Sequence, residues 1–275
     1  LNAASQEVRA DRWEGGTAAE LALLWAAPAV HLFAEVGSTN DVARRLASGG
    51  APDGTIVISE LQTKGRGRAG RPWSSPSGAG LWISLVLRDS DREGPGALPL
   101  LIGLVAAACL DDSIPDARIG IKWPNDLQVG KRKIGGILCE STWSGSAPVS
   151  IIAGLGLNLL QREADFPPDF RDRATSVRIE SGRDTDRLAL ATCLVRSILM
   201  RVREPLTLTG GELLELESRN VLLDASVQVT EPESGGALTA GTALGIDPTG
   251  ALLVRDSAGV LHRIQSGTVR LAEST

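Results

Sequence analysis

The chain has 275 residues, 43% of them hydrophobic and 22% charged, enough apolar material for one large domain or up to two ordinary ones with proper cores. Its net charge of −5 argues against general adhesion to nucleic acid or to an anionic membrane surface. The longest apolar run, residues 97–110, is too short to span a bilayer, and two histidines leave little for a His-based metal cluster.

Three cysteines (Cys109, Cys139, Cys193) are odd in number and far apart, which reads as buried thiols rather than a disulfide framework or a zinc site. With no signal peptide visible, that reading leads to a cytoplasmic location.

Residues 1–16 are polar and expected to be loose. Thr17 followed by Glu20 and an apolar run forms a capping box that opens a helix ending before Pro28. A short strand at His31–Ala34 precedes Ser38-Thr39-Asn40-Asp41, a helix start that runs to Leu46 and stops at Gly49-Gly50. Strands are predicted at Thr55–Ser59 and Leu81–Leu87, a core helix at Ala97–Asp112, and a strand at Arg118–Trp123. Pro124 breaks that strand. Leu127–Val129 and Lys133–Thr142 then make a hairpin around Gly130-Lys131. Val149–Asn158 is a further strand, in which Gly154 and Gly156 thin one face. Phe166–Arg173 reads as loop, and Arg187–Arg203 and Gly211–Arg219 as helices.

Beyond residue 222 the texture changes to five short strands: Ser226–Thr230, Thr242–Ile246, Ala251–Val254, Val260–Ile264 and Thr268–Leu271. Turn chemistry separates them, including Glu233–Gly236, and the pattern describes a small β-barrel. The expected division is therefore residues 1–222 and 223–275.

The chemistry-bearing stretch lies between the strands ending at Ser59 and beginning at Leu81. Lys64, Arg66, Arg68 and Arg71 are threaded between Gly65, Gly67 and Gly70 with no acid among them. Glycines let backbone N–H groups approach a ligand and arginines supply fork-shaped positive charge, which suits a phosphate or carboxylate. Gly65-x-Gly67-x-x-Gly70 spells the dinucleotide fingerprint, but Arg71-Pro72-Trp73 cannot continue a helix, and no GK[ST] follows to make a P-loop. What remains is a cationic loop whose like charges repel and which is expected to stay mobile until an anion arrives. A solvated charged loop is the ordinary fate of such a run taken alone.

Three further polar clusters accompany it: Ser38–Asn40, Lys122–Asp126 and Lys131–Lys133. If they converge they make a cationic site with one carboxylate, Asp126, to hold a magnesium ion. Such a site lacks a nucleophile paired with a base. It suits acyl-adenylate formation, in which a carboxylate attacks the α-phosphorus of ATP and the protein neutralises growing charge.

Gly65-Arg-Gly-Arg-Ala-Gly-Arg71-Pro-Trp73, Lys122-Trp-Pro-Asn-Asp126, Arg132-Lys133-Ile-Gly-Gly136 and Gly154-Leu-Gly-Leu-Asn158 resemble, in order and spacing, the signature blocks of biotin–protein ligases. The resemblance implies an α+β fold: a mixed β-sheet backed by helices, followed by a small SH3-like β-barrel. It implies that biotin and Mg-ATP give biotinyl-5′-AMP, and that a lysine of a biotin carboxyl carrier domain then receives the biotinyl group. By the same resemblance Lys133, Arg68 and Asp126 are catalytic, with Asp126 the metal ligand. Ser38, Thr39, Asn40, Gln62, Gly65, Arg66, Gly67, Arg68, Trp73, Lys133 and Gly136 are expected to bind biotin. Arg66, Arg68, Arg71, Lys122, Asn125, Lys133 and Asn158 are expected to bind ATP or the adenylate. No DNA-binding segment and no membrane partner are expected, and the assembly is a monomer or homodimer.

Two rivals remain at this stage. A lipoate or octanoate ligase would share the fold, although its mostly apolar substrate makes less use of Ser38, Thr39 and Gln62 than a ureido ring does. A nucleic-acid-binding module could use the Gly/Arg loop and the barrel. It is opposed by the acidic net charge and by the scarcity of aromatics among the cations, with no Tyr and three Phe.

Overall fold

The computed structural model describes residues 7–88, 95–144, 147–230 and 238–272, so the predicted turn at Glu233–Gly236 lies outside the described residues. The larger sheet is built in chain order from β1 (Val8–Arg9), then, after a two-stranded ribbon of β2 (Arg12–Trp13) and β3 (Gly16–Thr17) and helix α1 (Ala18–Trp25), β4 (Val30–Val36). It continues through α2 (Thr39–Ser48), β5 (Ile56–Gln62), β6 (Gly80–Leu87), α3 (Leu98–Asp111), β7 (Gly120–Lys122), β8 (Asp126–Val129), β9 (Arg132–Ser144) and β10 (Ala147–Asn158). The strand order is β1-β4-β5-β6-β10-β9-β8-β7. Only β4 and β5 run parallel, since α2 connects them as a crossover, and the remaining pairs are antiparallel.

Strand alternation gives this sheet two different faces. Ile83, Leu85, Ala153 and Leu155 pack with α3 and with α5 (Arg187–Arg201, after the short α4 at Val177–Ser181) in the main core. Val57, Val86 and Ile152 face the other way, onto Val42, Ala43 and Ala47 of α2. α3 is apolar nearly all round because it is sandwiched between β9 and α5, so it has little solvent face.

Residues 8–17 are docked rather than loose, while residues 1–6 lie outside the described residues. Arg9 pairs with Phe33, and Trp13 is 2% exposed with its ring edge-on to Trp25 at 6.1 Å. One tryptophan in a polar stretch carries enough apolar area to anchor it, a signal that periodicity does not register.

The cysteines also depart from expectation. Cys109 of α3 and Cys193 of α5 form a disulfide across 84 residues, with Cα atoms 6.1 Å apart, while Cys139 is a free thiol. The thiol reading holds for Cys139 and fails for Cys109 and Cys193, because those two meet only once both helices lie side by side on the sheet.

After α6 (Gly210–Arg219), Val221 donates its N–H to Ile121 and Asp224 to Ala243. A second sheet then begins. Its strands β11 (Ser226–Thr230), β12 (Leu238–Ile246), β13 (Leu252–Arg255), β14 (Leu261–Ile264) and β15 (Thr268–Leu271) are all antiparallel in the order β14-β13-β12-β11-β15, an SH3-like unit. The turn between β12 and β13 leans on the larger sheet, where the buried Trp123 indole donates to the Gly250 carbonyl at 2.9 Å.

Candidate functional site

On the α2 side of the sheet the strands carry too little bulk to fill the space. A Cβ at Gly154 would lie 2.3 Å from Asn40 Oδ1, and one at Gly156 would lie 2.8 Å from Trp73 Nε1. The face thinned by these glycines is thus occupied by the Asn40 amide and the Trp73 indole.

The first turn of α2 is capped in an unexpected way. Ser38 stands at the N-cap without a side-chain cap bond; instead Gln62 Oε1 accepts from the Thr39 backbone N–H at 2.9 Å and lies 3.1 Å from Thr39 Oγ1. Ser84 Oγ is 2.7 Å from Thr39 Oγ1 and 2.6 Å from Asn40 Oδ1. Asn40 Oδ1 and Gln62 Oε1 can only accept, so the single hydroxyl protons of Ser84 and Thr39 are shared among these three contacts. Gln62 Nε2 in turn donates to Ser75 Oγ at 2.8 Å. Ser38, Thr39, Asn40, Ser75 and Ser84 are all buried, which makes this a nearly water-free polar chain. Sequence reasoning did not reach Ser75 or Ser84. The signal for Ser84 was a lone hydroxyl in the middle of the apolar run Leu81–Leu87.

The glycine–arginine segment is a folded hairpin. Gln62 bridges Ser75 and Arg66 bridges Pro72; Trp73 N–H donates to Gly65 O at 2.9 Å and Gly67 N–H to Arg71 O at 2.8 Å. A Cβ at Gly65 would sit 2.5 Å from the Trp73 carbonyl oxygen, so glycine is obligatory for this close approach. Acidic partners for the loop come from elsewhere in the chain. Arg66 donates to Asp41 of α2 in a bidentate pair at 2.6 and 2.7 Å. Hydrogen bonding from Arg66 is the main reason Asp41 titrates below its ordinary value. Arg66, expected at the ligands, bonds Asp41 of α2 in this structure.

Arg68 differs. Among the described residues no hydrogen-bonded acid meets its guanidinium; burial pulls its pKa down, the charge of Asp126 acts against that, and Arg71 adds to it. A half-buried cation without a bonded anion is a ready receptor for one.

Lys133 stands at the start of β9, where its backbone is clamped to the segment before α4: its N–H donates to Arg173 O at 2.8 Å and its C=O accepts from Thr175 at 2.9 Å. Its Nζ is 2.5 Å from Asp126 Oδ1 and 5.1 Å from the Trp73 ring centroid. A Cβ at Gly136 would lie 3.2 Å from Nζ, so the glycine clears the path of the lysine. Lys122 is directly across the β7–β8 ladder from Asp126. Arg68, Asp126, Lys133 and Trp73 thus share one surface with Lys122 at its border.

The Lys131–Lys133 run does not act as a unit. Lys131 is exposed at the turn and Arg132 donates to Glu180 at 2.7 Å. Asn125 braces the Lys122–Asp126 break, its amide donating to Ile137 O at 2.7 Å. Asn158 is buried, donating to Thr175 O and accepting from Gln161, so both ends of its amide are occupied. Cys139 contributes no nucleophile, since burial pushes its thiol up to about 12. Among the described residues no group of three or more His, Cys, Asp or Glu could hold a metal.

Residues 32–158 match the model of the biotin/lipoate A/B protein ligase family, and residues 226–271 match that of the biotin protein ligase C terminal domain. The chain is 33% identical over 246 residues to a biotin–[acetyl-CoA-carboxylase] ligase of Mycobacterium tuberculosis, covering 86% of this chain and 87% of that one. It is 32% identical over 237 residues to the bifunctional ligase/repressor BirA of Bacillus subtilis, covering 86% of this chain and 72% of the relative. The biotin protein ligase of Aquifex aeolicus, solved in complex with biotin and ATP, superposes with a TM-score of 0.75 at 28% identity, covering 88% of this chain and 99% of that one.

Proposed function

Because this chain belongs to the biotin/lipoate A/B protein ligase family, we infer that it activates biotin with ATP to biotinyl-5′-AMP and transfers biotin to a lysine of a biotin carboxyl carrier protein. The observation that carries this reading is the position of Lys133. Its ammonium lies against Trp73 and a single carboxylate, on a surface shared with Arg68 and bordered by the buried polar chain from Gln62 to Asn40.

The biotin head is assigned to the hydrogen-bonding groups of Ser38, Thr39, Asn40 and Gln62, and Trp73 to the apolar body of the ligand. A ureido ring exchanges for the existing bonds of Gln62 and Thr39 without leaving buried polar atoms unpaired. Lys133 exchanges Asp126 for the biotin carboxylate and the α-phosphate, holding two anions within reaction distance. The carboxylate oxygen attacks the α-phosphorus and pyrophosphate departs. The nucleophile is already deprotonated, so no general base is required. Arg68 meets the charge that grows on the phosphate, and Lys122 and Arg71 meet the departing pyrophosphate. Asn125 and Asn158 shape the nucleotide side as braces.

Asp126 is one carboxylate, which fits magnesium arriving on the nucleotide and completed by phosphate oxygens and water rather than an all-protein metal site. There the ion would neutralise phosphate charge. In the second step the same carboxylate faces the incoming lysine amine. Residues 1–222 carry the substrates in this reading and 223–275 form the barrel. In this reading the assembly is a monomer or homodimer.

The test is mass spectrometry of a biotin carboxyl carrier domain after incubation with the protein, magnesium, ATP and either biotin or lipoate. One biotinyl group on one lysine, and none with lipoate, is the expected result. No mass gain with biotin, or an equal gain with lipoate, overturns the reading.

A further inference from the structure

The bond between Cys109 of α3 and Cys193 of α5 lies at the surface: Cys193 is exposed and Cys109 half-buried. Both cysteines line a cleft of about 420 Å³, bounded by the end of α3, the turn after it and the segment that leads from α4 into α5. Asp112, Asp116, Glu180, Asp184 and Asp186 line the same cleft, with Arg183 as its cation. Glu180 is bonded by Arg132 and Asp184 by Arg178, so Asp112, Asp116 and Asp186 remain against one guanidinium. The cleft is therefore electronegative. Beneath the bond the two helices hold together without it, since Leu190, Leu194 and Val195 of α5 share the main core with Ala106 and Leu110 of α3. Opening the cross-link thus frees two thiols and leaves the core packed.

We propose that the Cys109–Cys193 bond is a redox site, at which a dithiol reductant attacks Cys193 Sγ from the cleft, and that its state sets the stability of the folded chain. A thiolate of the reductant bonds to Cys193 Sγ, the S–S bond breaks, and Cys109 leaves as a thiolate that takes up a proton. The reductant's second thiolate then attacks the reductant sulfur of the mixed disulfide, and Cys193 departs and is protonated in turn. Two electrons and two protons pass from the dithiol to the protein. Two cysteine thiols form, and the reductant ends as a disulfide. Each attacking thiolate is an anion, so the surplus of carboxylates slows reagents that carry further negative charge and favours those with a cation beside the sulfur. Reduction returns the freedom of an 84-residue separation to the unfolded chain, which lowers stability. The bond lies on the sheet face opposite Trp73 and Asn40, so the proposal stands without the ligase reading.

The experiment treats the folded wild-type chain with dithiothreitol, alkylates it and counts the labelled cysteines by mass spectrometry. Label is expected on Cys109 and Cys193 and not on Cys139, whose thiol burial pushes up to about 12. The melting temperature is expected to fall by about 5–10 °C on reduction, and not to move in the Cys109→Ala/Cys193→Ala double variant. Cysteamine and 3-mercaptopropionate, compared at equal thiolate concentration, then read the charge of the cleft. The ammonium-bearing thiol is expected to react about tenfold faster at low salt, with the difference lost near 1 M salt. A cross-link that opens only in denaturant, or only together with labelling of Cys139, overturns the proposal. So do free thiols at Cys109 and Cys193 that oxidised dithiothreitol fails to join, or a thiol-induced melting shift that persists in the double variant. Equal rates for the two monothiols at low salt remove the role of the carboxylates.

Discussion

Lys133 and Asp126 form an ion pair at 2.5 Å across the strands β8 and β9, in the space that Gly136 leaves open. The pair places a cation and a carboxylate at the same spot, so an anionic substrate and a cationic partner compete for their separation. Replacing Lys133 with Ala removes the donor that two anions share. Biotin-dependent ATP–pyrophosphate exchange is expected to drop by about 100- to 1,000-fold, the usual loss for a transition-state charge donor, with an unchanged melting temperature. An unaltered exchange rate would remove Lys133 from the mechanism.

Gly65→Ala is expected to break the hairpin from Gln62 to Ser75, because the added methyl meets the Trp73 carbonyl oxygen at 2.5 Å and a backbone atom cannot step aside. The core is untouched, so calorimetry should register little change while adenylate formation falls at least tenfold. A fully active Gly65→Ala protein contradicts the loop geometry.

Ser84→Ala removes the only donor to Asn40 Oδ1 among the described residues. A buried acceptor left unpaired costs about 1–3 kcal/mol, measurable by urea denaturation. Because the same chain reaches Thr39 and Gln62, the KM for biotin should rise more than the KM for ATP. Equal changes in both would detach this network from biotin.

The Arg66–Asp41 contact also makes a statement about pH. Hydrogen bonding from Arg66, and the charges of Arg66 and Arg44, hold Asp41 below its ordinary 3.8 against the opposing effect of burial, while the neighbouring Glu140 carboxylate is itself paired with Arg44. A depressed carboxylate contributes stability that is fully present above its unfolded pKa and is lost as pH falls through the lowered folded value. The difference in stability between wild type and Asp41→Asn should therefore be constant near neutrality and shrink below about pH 4. A difference that does not change on acidification refutes the pairing.

Cys193→Ser opens the cross-link between α3 and α5 and frees an 84-residue separation in the unfolded chain. Stability should decrease by about 2–4 kcal/mol in chemical denaturation. These helices pack on the sheet face opposite Trp73 and Asn40, so kcat for biotin transfer is expected to stay within twofold. A large kcat loss at full folding would mean that the two faces are coupled.

Much of the fold was legible because it follows from local periodicity. β6 was expected at Leu81–Leu87 and runs Gly80–Leu87; β11 and β15 have the predicted bounds; α3 was expected at Ala97–Asp112 and spans Leu98–Asp111. The docking of residues 8–17 was not legible, since Trp13 reaches its pocket through Trp25 rather than through any repeat of its own. The short helix Val177–Ser181 was missed as well, at a length where pattern carries little information.

By itself the sequence determined the elements and the chemical vocabulary of the site. Glycine spacing, four cations without an adjacent acid, and a lysine beside a hairpin are properties of neighbouring residues, and neighbours fix backbone permissiveness and charge type. Only the tertiary structure decided which cation answers to which anion. Asp41 lies 25 residues from Arg66, and Cys109 lies 84 residues from Cys193. Partnership over such separations is set by which strands and helices become adjacent. The same packing leaves Arg68 in the field of Asp126 without a bonded acid among the described residues, while Arg66 and Arg132 are neutralised on α2 and α4.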